Sequence, residues 1–283
     1  MFFVHMFGVL TISVDGRRIA DDLGPNGRSL SGFLFQHIGR IHRRERLVDQ
    51  FWGHLDPERG RAALNTALWR FRKLLAHDPL SQGGQNFCTT TSDVMLEPAP
   101  WLDVDTVRFG TTMKHLLEQQ YVVDASKLEM VVESYEGPFL DGEDADWILQ
   151  ERERLHSLYV RALVELMRHY GHLERYEEAV AAARRVLAAD PFREAIHRDL
   201  LILLILNGQP GEALRQQARW SANLQEELSI SPMPQTMRVV DEIRSGKIFD
   251  RLDTLRTQYF LQPKLGKQPE IANSSPRLAT PGA

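Results

Sequence analysis

The stretch Asp56-Pro57-Glu58-Arg59-Gly60-Arg61-Ala62-Ala63-Leu64-Asn65-Thr66-Ala67-Leu68-Trp69-Arg70-Phe71-Arg72-Lys73-Leu74-Leu75 decides how this 283-residue chain is read. Asp-Pro-Glu is a helix start: a side chain able to cap free amides, a proline tolerated in the first turn, and an acid at the positive end of the dipole. At about 100° per residue, Leu64, Leu68, Phe71 and Leu75 share one stripe, widened on a flank by Ala63, Ala67 and Leu74. The other side carries Arg61, Asn65, Thr66, Trp69, Arg72 and Lys73, with Arg70 at the margin. From Gly60 to Ala76 there are four cations (Arg61, Arg70, Arg72, Lys73) and no acid. The helix is therefore amphipathic, with a basic outer face.

Upstream, a short helix is expected from about Arg43 to Trp52, burying Leu47, Val48, Phe51 and Trp52. Before it, Arg28 to Ile41 reads as helix, with Leu30, Phe33, Leu34, His37 and Ile38 on one side, after the break Gly24-Pro25-Asn26-Gly27. Residues 3–19 alternate in polarity and contain Asp15-Gly16, a strong hairpin signal because glycine tolerates the positive φ of a tight turn. Downstream, Asp78-Pro79 and Gly83-Gly84 break the central helix. Residues 86–97 then read as a hairpin: Phe87-Cys88-Thr89-Thr90-Thr91 outward, Ser92-Asp93 as the turn, Val94-Met95-Leu96 returning. Strands, three helices and a hairpin in this order predict an α+β winged helix over residues 1–99, in which the third helix enters a major groove and the hairpin is the wing.

After Pro98 and Pro100 the pattern is helical almost throughout, with helices expected near 103–119, 124–135, 145–171, 174–189, 193–207, 210–228 and 233–245. The segments Glu174-Arg175-Tyr176-Glu177-Glu178-Ala179 and Gly208-Gln209-Pro210-Gly211-Glu212-Ala213-Leu214 open two similar helix pairs. A repeat near 34 residues with small residues at the crossings predicts an all-α tetratricopeptide-like domain over 100–248, whose stacked pairs share a core and present a concave partner surface. Residues 249–283 are expected to form a short helix to Tyr259 and then a polar, proline-rich disordered tail.

Composition narrows the function classes. The net charge is −4, so the chain as a whole does not advertise a nucleic-acid partner. Its distribution is uneven: Glu133 to Glu153 holds eight acids against Arg152 alone. Opposite signs in separate regions point to separate tasks, although a solvated helix face gives the same pattern. One cysteine, Cys88, excludes an internal disulfide framework and a multi-cysteine zinc site. There is no secretory leader pattern, and the longest apolar run, Leu200 to Leu206, is too short to span a bilayer, so a cytoplasmic protein with no membrane partner is expected. Gly24-Pro25-Asn26-Gly27-Arg28-Ser29 is too short for a phosphate-binding P-loop and lacks its lysine. His37, His42 and His54 read as scattered packing and surface residues, and make no metal-ligand set with Cys88. Asp144, Asp146, Glu151 and Glu153, next to Arg152 and Arg154, read as ion-pair partners, and Trp147 as a packing anchor. No catalytic residue, metal or cofactor is expected.

The basic face suits a duplex: arginine bridges guanine, asparagine pairs with adenine, and lysine and threonine hold phosphates. Several segments resemble the SARP-type (Streptomyces antibiotic regulatory protein) family and relatives with a bacterial transcriptional activator domain. These are Phe7-Gly8-Val9-Leu10 with Val14-Asp15-Gly16-Arg17; Arg44-Glu45-Arg46-Leu47-Val48 with Phe51-Trp52-Gly53; Arg61-Ala62-Ala63-Leu64 with Leu68 to Leu75; and Trp101-Leu102-Asp103-Val104-Asp105. The most specific is Tyr135-Glu136-Gly137-Pro138-Phe139-Leu140-Asp141-Gly142 followed by Asp146-Trp147-Ile148 and Glu151-Arg152-Glu153-Arg154-Leu155; Asp190 to Glu194 and Glu226 to Leu228 with Pro232 complete it. The resemblance implies a stand-alone short form that binds promoter DNA near RNA polymerase. Three features depart from the family pattern. Asn65 and Trp69 stand where many relatives carry arginine and a small polar residue, Ser31-Gly32 softens the first helix, and His42-Arg43 replaces a Ser or Thr cap.

The expected function is a sequence-specific transcription regulator, an activator. Its DNA-contacting set is Arg43, Arg44, Arg61, Asn65, Thr66, Trp69, Arg70, Arg72, Lys73 and Thr90. The expected partners are double-stranded promoter DNA and RNA polymerase or another regulator subunit, a homodimer included. The alternative is a tetratricopeptide-type interaction scaffold that does not bind DNA.

Overall fold

The computed structural model describes residues 1–19, 22–77, 84–118 and 125–259. The breaks expected at Asp78-Pro79 and Gly83, and the tail beyond Tyr259, lie outside them. The chain opens with β1 (Phe2–His5), β2 (Thr11–Val14) and β3 (Arg17–Arg18). Phe2, Val4 and Met6 are buried while His5 is exposed, the period of two that a half-buried strand requires. Asp15 (φ 47°) and Gly16 (φ 78°) both take positive φ at the β2–β3 turn, as a two-residue hairpin loop demands. Three helices follow: α1 (Pro25–Gln36), α2 (Arg44–Trp52) and α3 (Pro57–Leu75). Between α1 and α2 lies β4 (His42–Arg43), and after α3 come β5 (Phe87–Thr89), β6 (Asp93–Leu96) and β7 (Leu102–Val104).

Two small sheets frame the helices. The first has the order β3-β2-β1-β7, with β7 parallel to β1. The second, β4-β6-β5, is the wing with β4 added to its edge. This is the winged helix that the order of elements predicts.

The first helix differs from its expected bounds, and the reasons are local. It starts at Pro25 because the fixed φ of proline suits a first helical turn. It stops at Gln36 because Gly39 turns the chain with φ 81° and His42 pairs with Val94 of the wing. Ile41, expected inside the helix, is an exposed linker residue. The turn of the wing hairpin falls on Thr90 to Ser92, and Asp93 already belongs to β6. The soft pair Ser31-Gly32 also acquires a reason. A Cβ at Gly32 would lie 3.1 Å from Leu140 Cδ1, so the missing side chain seats a leucine from the second half of the molecule.

That half contains α4 (Asp105–Glu118), α5 (Ala125–Glu133), α6 (Asp146–His172), α7 (Tyr176–Ala189), α8 (Glu194–Leu206), α9 (Pro210–Leu228) and α10 (Pro234–Ser245). A 3₁₀ turn at Lys247–Arg251 and α11 (Leu252–Tyr259) follow. The first of the expected helices begins two residues late because Leu102–Val104 is strand. Tyr176 and Pro210, which open α7 and α9, stand one repeat of about 34 residues apart. Leu200 through Ile205 are all buried, so the apolar run is the central helix of the stack.

The two halves are joined through main chain. Gly8 donates to the carbonyl of Pro138 at 2.8 Å, Leu140 to that of Met6 at 2.9 Å, and Asp141 to that of Gly8 at 2.9 Å. Asp105, the first residue of α4, accepts the amides of Met6 (2.9 Å) and Phe7 (3.1 Å). Arg152 donates to the carbonyls of Phe139, Leu140 and Glu143 at 2.8–2.9 Å. An aromatic cluster lies beside these bonds. The Trp147 ring stands 5.2 Å from Phe33, 5.8 Å from Phe139 and 6.5 Å from Phe51, centroid to centroid. His37 and His42 join it with their rings 5.6 Å apart, so these two histidines are neighbours at the joint rather than scattered. The motif Tyr135 to Leu155, the most specific in the sequence, is largely this joint.

Candidate nucleic-acid interface

Helix α3 is built as its sequence dictates. The Asp56 carboxylate accepts the Arg59 amide at 3.0 Å, Pro57 occupies the first turn, and Arg72 and Lys73 lie in the last. Gly60, Leu64, Ala67, Leu68, Phe71, Leu74 and Leu75 are buried. Phe71 packs edge-on at 4.9 Å against Phe87 of the wing and at 5.1 Å against Phe35 of α1. Arg61, Asn65, Thr66, Trp69, Arg72 and Lys73 remain exposed on the far side, with Arg59 and Ala62 beside them.

The first six of these are not equivalent. Arg61 makes no hydrogen bond or ion pair among the described residues. Lys73 places its ammonium 5.6 Å from the Trp69 ring centre, and Trp69 is 62% exposed, so the indole stands out from the protein instead of packing within it. The Thr66 hydroxyl donates back to the Ala62 carbonyl at 3.0 Å, leaving its oxygen as an acceptor. The Asn65 side-chain oxygen accepts from an Arg44 guanidinium nitrogen. Arg72 donates to the Phe87 carbonyl at 3.0 Å and to Thr89 Oγ1 at 3.2 Å, with its guanidinium 5.4 Å from the Phe87 ring. It is therefore committed to the wing.

The remaining members of the expected set divide in the same way. Arg70 is half-buried and reaches the Leu23 carbonyl at 3.5 Å, ahead of α1 and away from the outer face. Arg43 pairs with Asp93 at 3.4 Å across β4 and β6, yet its side chain is largely exposed. Arg44 starts α2 and donates its backbone amide to the Ser92 carbonyl at 2.9 Å, which ties α2 to the wing tip. Thr90 Oγ1 accepts the amides of Ser92 (3.2 Å) and Asp93 (2.9 Å), so this hydroxyl shapes the wing turn.

Between α2, the first half of α3 and the wing lies a hollow of about 1140 Å³. Arg44, Arg61, Asn65 and Thr90 line it, with the acids Glu45 and Asp49 of α2 on its wall. Thr89 and Thr91 line it too, and neither belongs to the expected set. The signal was present in the Thr89-Thr90-Thr91 run, which ends β5 and enters the wing turn, so that all three threonines border the hollow. The result is a ridge of exposed polar groups on α3, flanked by a hydroxyl-rich wing, with Lys73 held only over the Trp69 ring and Arg61 without a hydrogen bond or ion pair among the described residues. Among the described residues no group of three His, Cys, Asp or Glu could hold a metal ion, and no helix is long and apolar enough to cross a membrane.

Comparison with known proteins addresses the second half first: residues 104–244 match the bacterial transcriptional activator domain. The chain is a SARP-type protein. The regulatory protein AfsR of Streptomyces griseus is 26% identical over 235 residues, which are 81% of this chain and 23% of that protein. AfsR of Streptomyces coelicolor is 26% identical over 227 residues, covering 78% of this chain and 22% of its own length. The SARP-type chain thus spans less than a quarter of these relatives. The solved structure of Mycobacterium tuberculosis EmbR in complex with a low-affinity phosphopeptide shares the fold. It has a TM-score of 0.71 and 18% identity, and the match covers 90% of this chain and 68% of that one. In the SARP-type chain the activator-domain match begins at Val104, the last residue of β7, so its first residue still belongs to the sheet of the winged helix.

Proposed function

We propose that this SARP-type chain is a sequence-specific DNA-binding transcription regulator, acting as an activator in the cytoplasm, without an enzymatic site. The observation that carries the reading is the outer face of α3. Arg61, Asn65, Thr66, Trp69 and Lys73 are exposed together on one helix, beside a wing hydrogen-bonded to it through Arg72. In a major groove, Asn65 and Trp69 would face base edges while Arg61 and Lys73 meet phosphates. Arg43 and the threonines of the wing would follow the adjacent backbone. Residues 1–99 serve as the DNA-binding unit and 100–248 as the unit that meets another protein, RNA polymerase or a second regulator subunit. The activator-domain match and the stacked helix pairs support that division.

The test is duplex binding measured by anisotropy over a range of salt. Arg61→Ala and Lys73→Ala should each weaken binding to all sequences and lower the slope of log affinity against log salt by about one. Arg72 and Arg70 are left intact because they hold the fold. A protein with no duplex preference in a selection at moderate salt would refute the reading and leave an interaction scaffold.

A further inference from the structure

Arg44 sits on α2, outside the helix that would read bases, yet its guanidinium holds the side-chain oxygen of Asn65. We infer that Arg44 is a positioning residue for base reading: it fixes which way round the Asn65 amide faces the groove, and so on which strand the protein accepts adenine. The inference rests on the DNA-binding reading above and deepens it.

Donor and acceptor inventory sets the direction of the amide. A guanidinium only donates, so the amide end that faces Arg44 must be the oxygen, and the amide nitrogen must point the other way along α3. An unconstrained asparagine has no such preference and can exchange the two ends by turning about its last torsion. The Arg44 end of the contact is also anchored. Its backbone amide donates to the Ser92 carbonyl at 2.9 Å, so the side chain grows from a point tied to the wing. Only one of five guanidinium N–H groups is needed for Asn65, which leaves others for a phosphate.

Adenine presents N7, an acceptor, beside its N6 amino group, a donor, and an asparagine reads both with its nitrogen and its oxygen. One lone pair of Asn65 Oδ1 goes to Arg44 and the other remains for N6. An amide of fixed direction matches this pair of groups in one order only, so it separates A·T from T·A. An amide free to turn accepts both.

The experiment is a duplex selection with the full chain as wild type, Arg44→Met and Asn65→Ala, with Arg44→Ala as a second route to the same lesion. Arg44→Met keeps an aliphatic stem and removes every donor. The wild type is expected to enrich adenine on one strand at a single step. Both Arg44 variants are expected to accept adenine on either strand at that step, with the wild-type preference of roughly tenfold reduced to near unity. Asn65→Ala is expected to lose the preference there altogether. A purely phosphate-holding or structural Arg44 would weaken binding uniformly and leave the enriched base unchanged, and that result would overturn the inference while the DNA-binding reading stands. A wild type already indifferent between A·T and T·A at every step would overturn it too. A wild type that enriches no sequence at all defeats the DNA-binding reading itself.

Discussion

Arg72 donates to the backbone carbonyl of Phe87 at 3.0 Å and covers the ring of the same residue. An arginine on the outer face of a basic helix is thereby turned into a clamp between α3 and the wing. Arg72→Ala should destabilise the protein by about 1 kcal/mol, the net worth of a charge-assisted bond discounted for its exposure. Urea unfolding reads the change. A variant as stable as the wild type that only binds DNA less well would show that the clamp contributes nothing and that Arg72 is a phosphate contact.

Trp147 is the corresponding anchor between the two halves, with Phe33, Phe51 and Phe139 around its ring. Trp147→Ala removes that packing and should cost about 3 kcal/mol. The loss falls on the joint, so unfolding followed by separate probes of the two halves should lose coincidence, whereas the wild type is expected to unfold as one unit. Retained coincidence in the variant would mean that the main-chain bonds alone couple the halves.

His37 and His42 give the joint a pH dependence. Burial is the largest cause pushing both imidazoles below the ordinary value of 6.5, with Arg40 opposing a second positive charge at each. Around His37, Glu151 pulls the other way and Arg154 adds to the lowering. A histidine held neutral in the fold is protonated first in the unfolded chain, so stability is intact above the ordinary value and is lost as pH falls below it toward the folded value. The urea midpoint should therefore carry a histidine-dependent drop as pH falls below about 6.5. Replacing the pair as His37→Gln with His42→Leu should flatten that drop. A residual slope is expected, because burial lowers His169 and His197 in the same direction and raises Asp199 to about 6, which favours the folded state as pH falls and works against the histidines. The same pH dependence in the double variant as in the wild type would contradict the assignment.

How much of this was legible in the sequence depends on the range of the interaction concerned. The start of α3 was legible because Asp56 and Pro57 act on amides one turn away. The helix pairs were legible because their period repeats. By contrast, β4 is two residues long and exists only because Val94 lies alongside His42. β7 exists because Leu102 pairs with Phe2, a hundred residues earlier. Strands this short carry no alternation to detect. The same limit governs the interface. Periodicity placed Arg61, Asn65, Trp69 and Lys73 on the outer face, but Arg70 and Arg72 are set by what lies beside α3, the Leu23 carbonyl and the wing. The Tyr135 to Leu155 motif could be recognised yet not explained, since its meaning is the seat on Gly32 and the bonds to Met6 and Gly8.

Those bonds between the Pro138–Asp141 loop and the first hairpin leave no swivel between reading head and solenoid. If α3 enters a groove as proposed, the compass bearing of the helical stack around the DNA axis is set with it. A binding site shifted by about five base pairs, half of the 10–10.5 bp helical turn, would carry the stack to the opposite side of the duplex. Spacing on a promoter then matters through its angular phase as well as its distance.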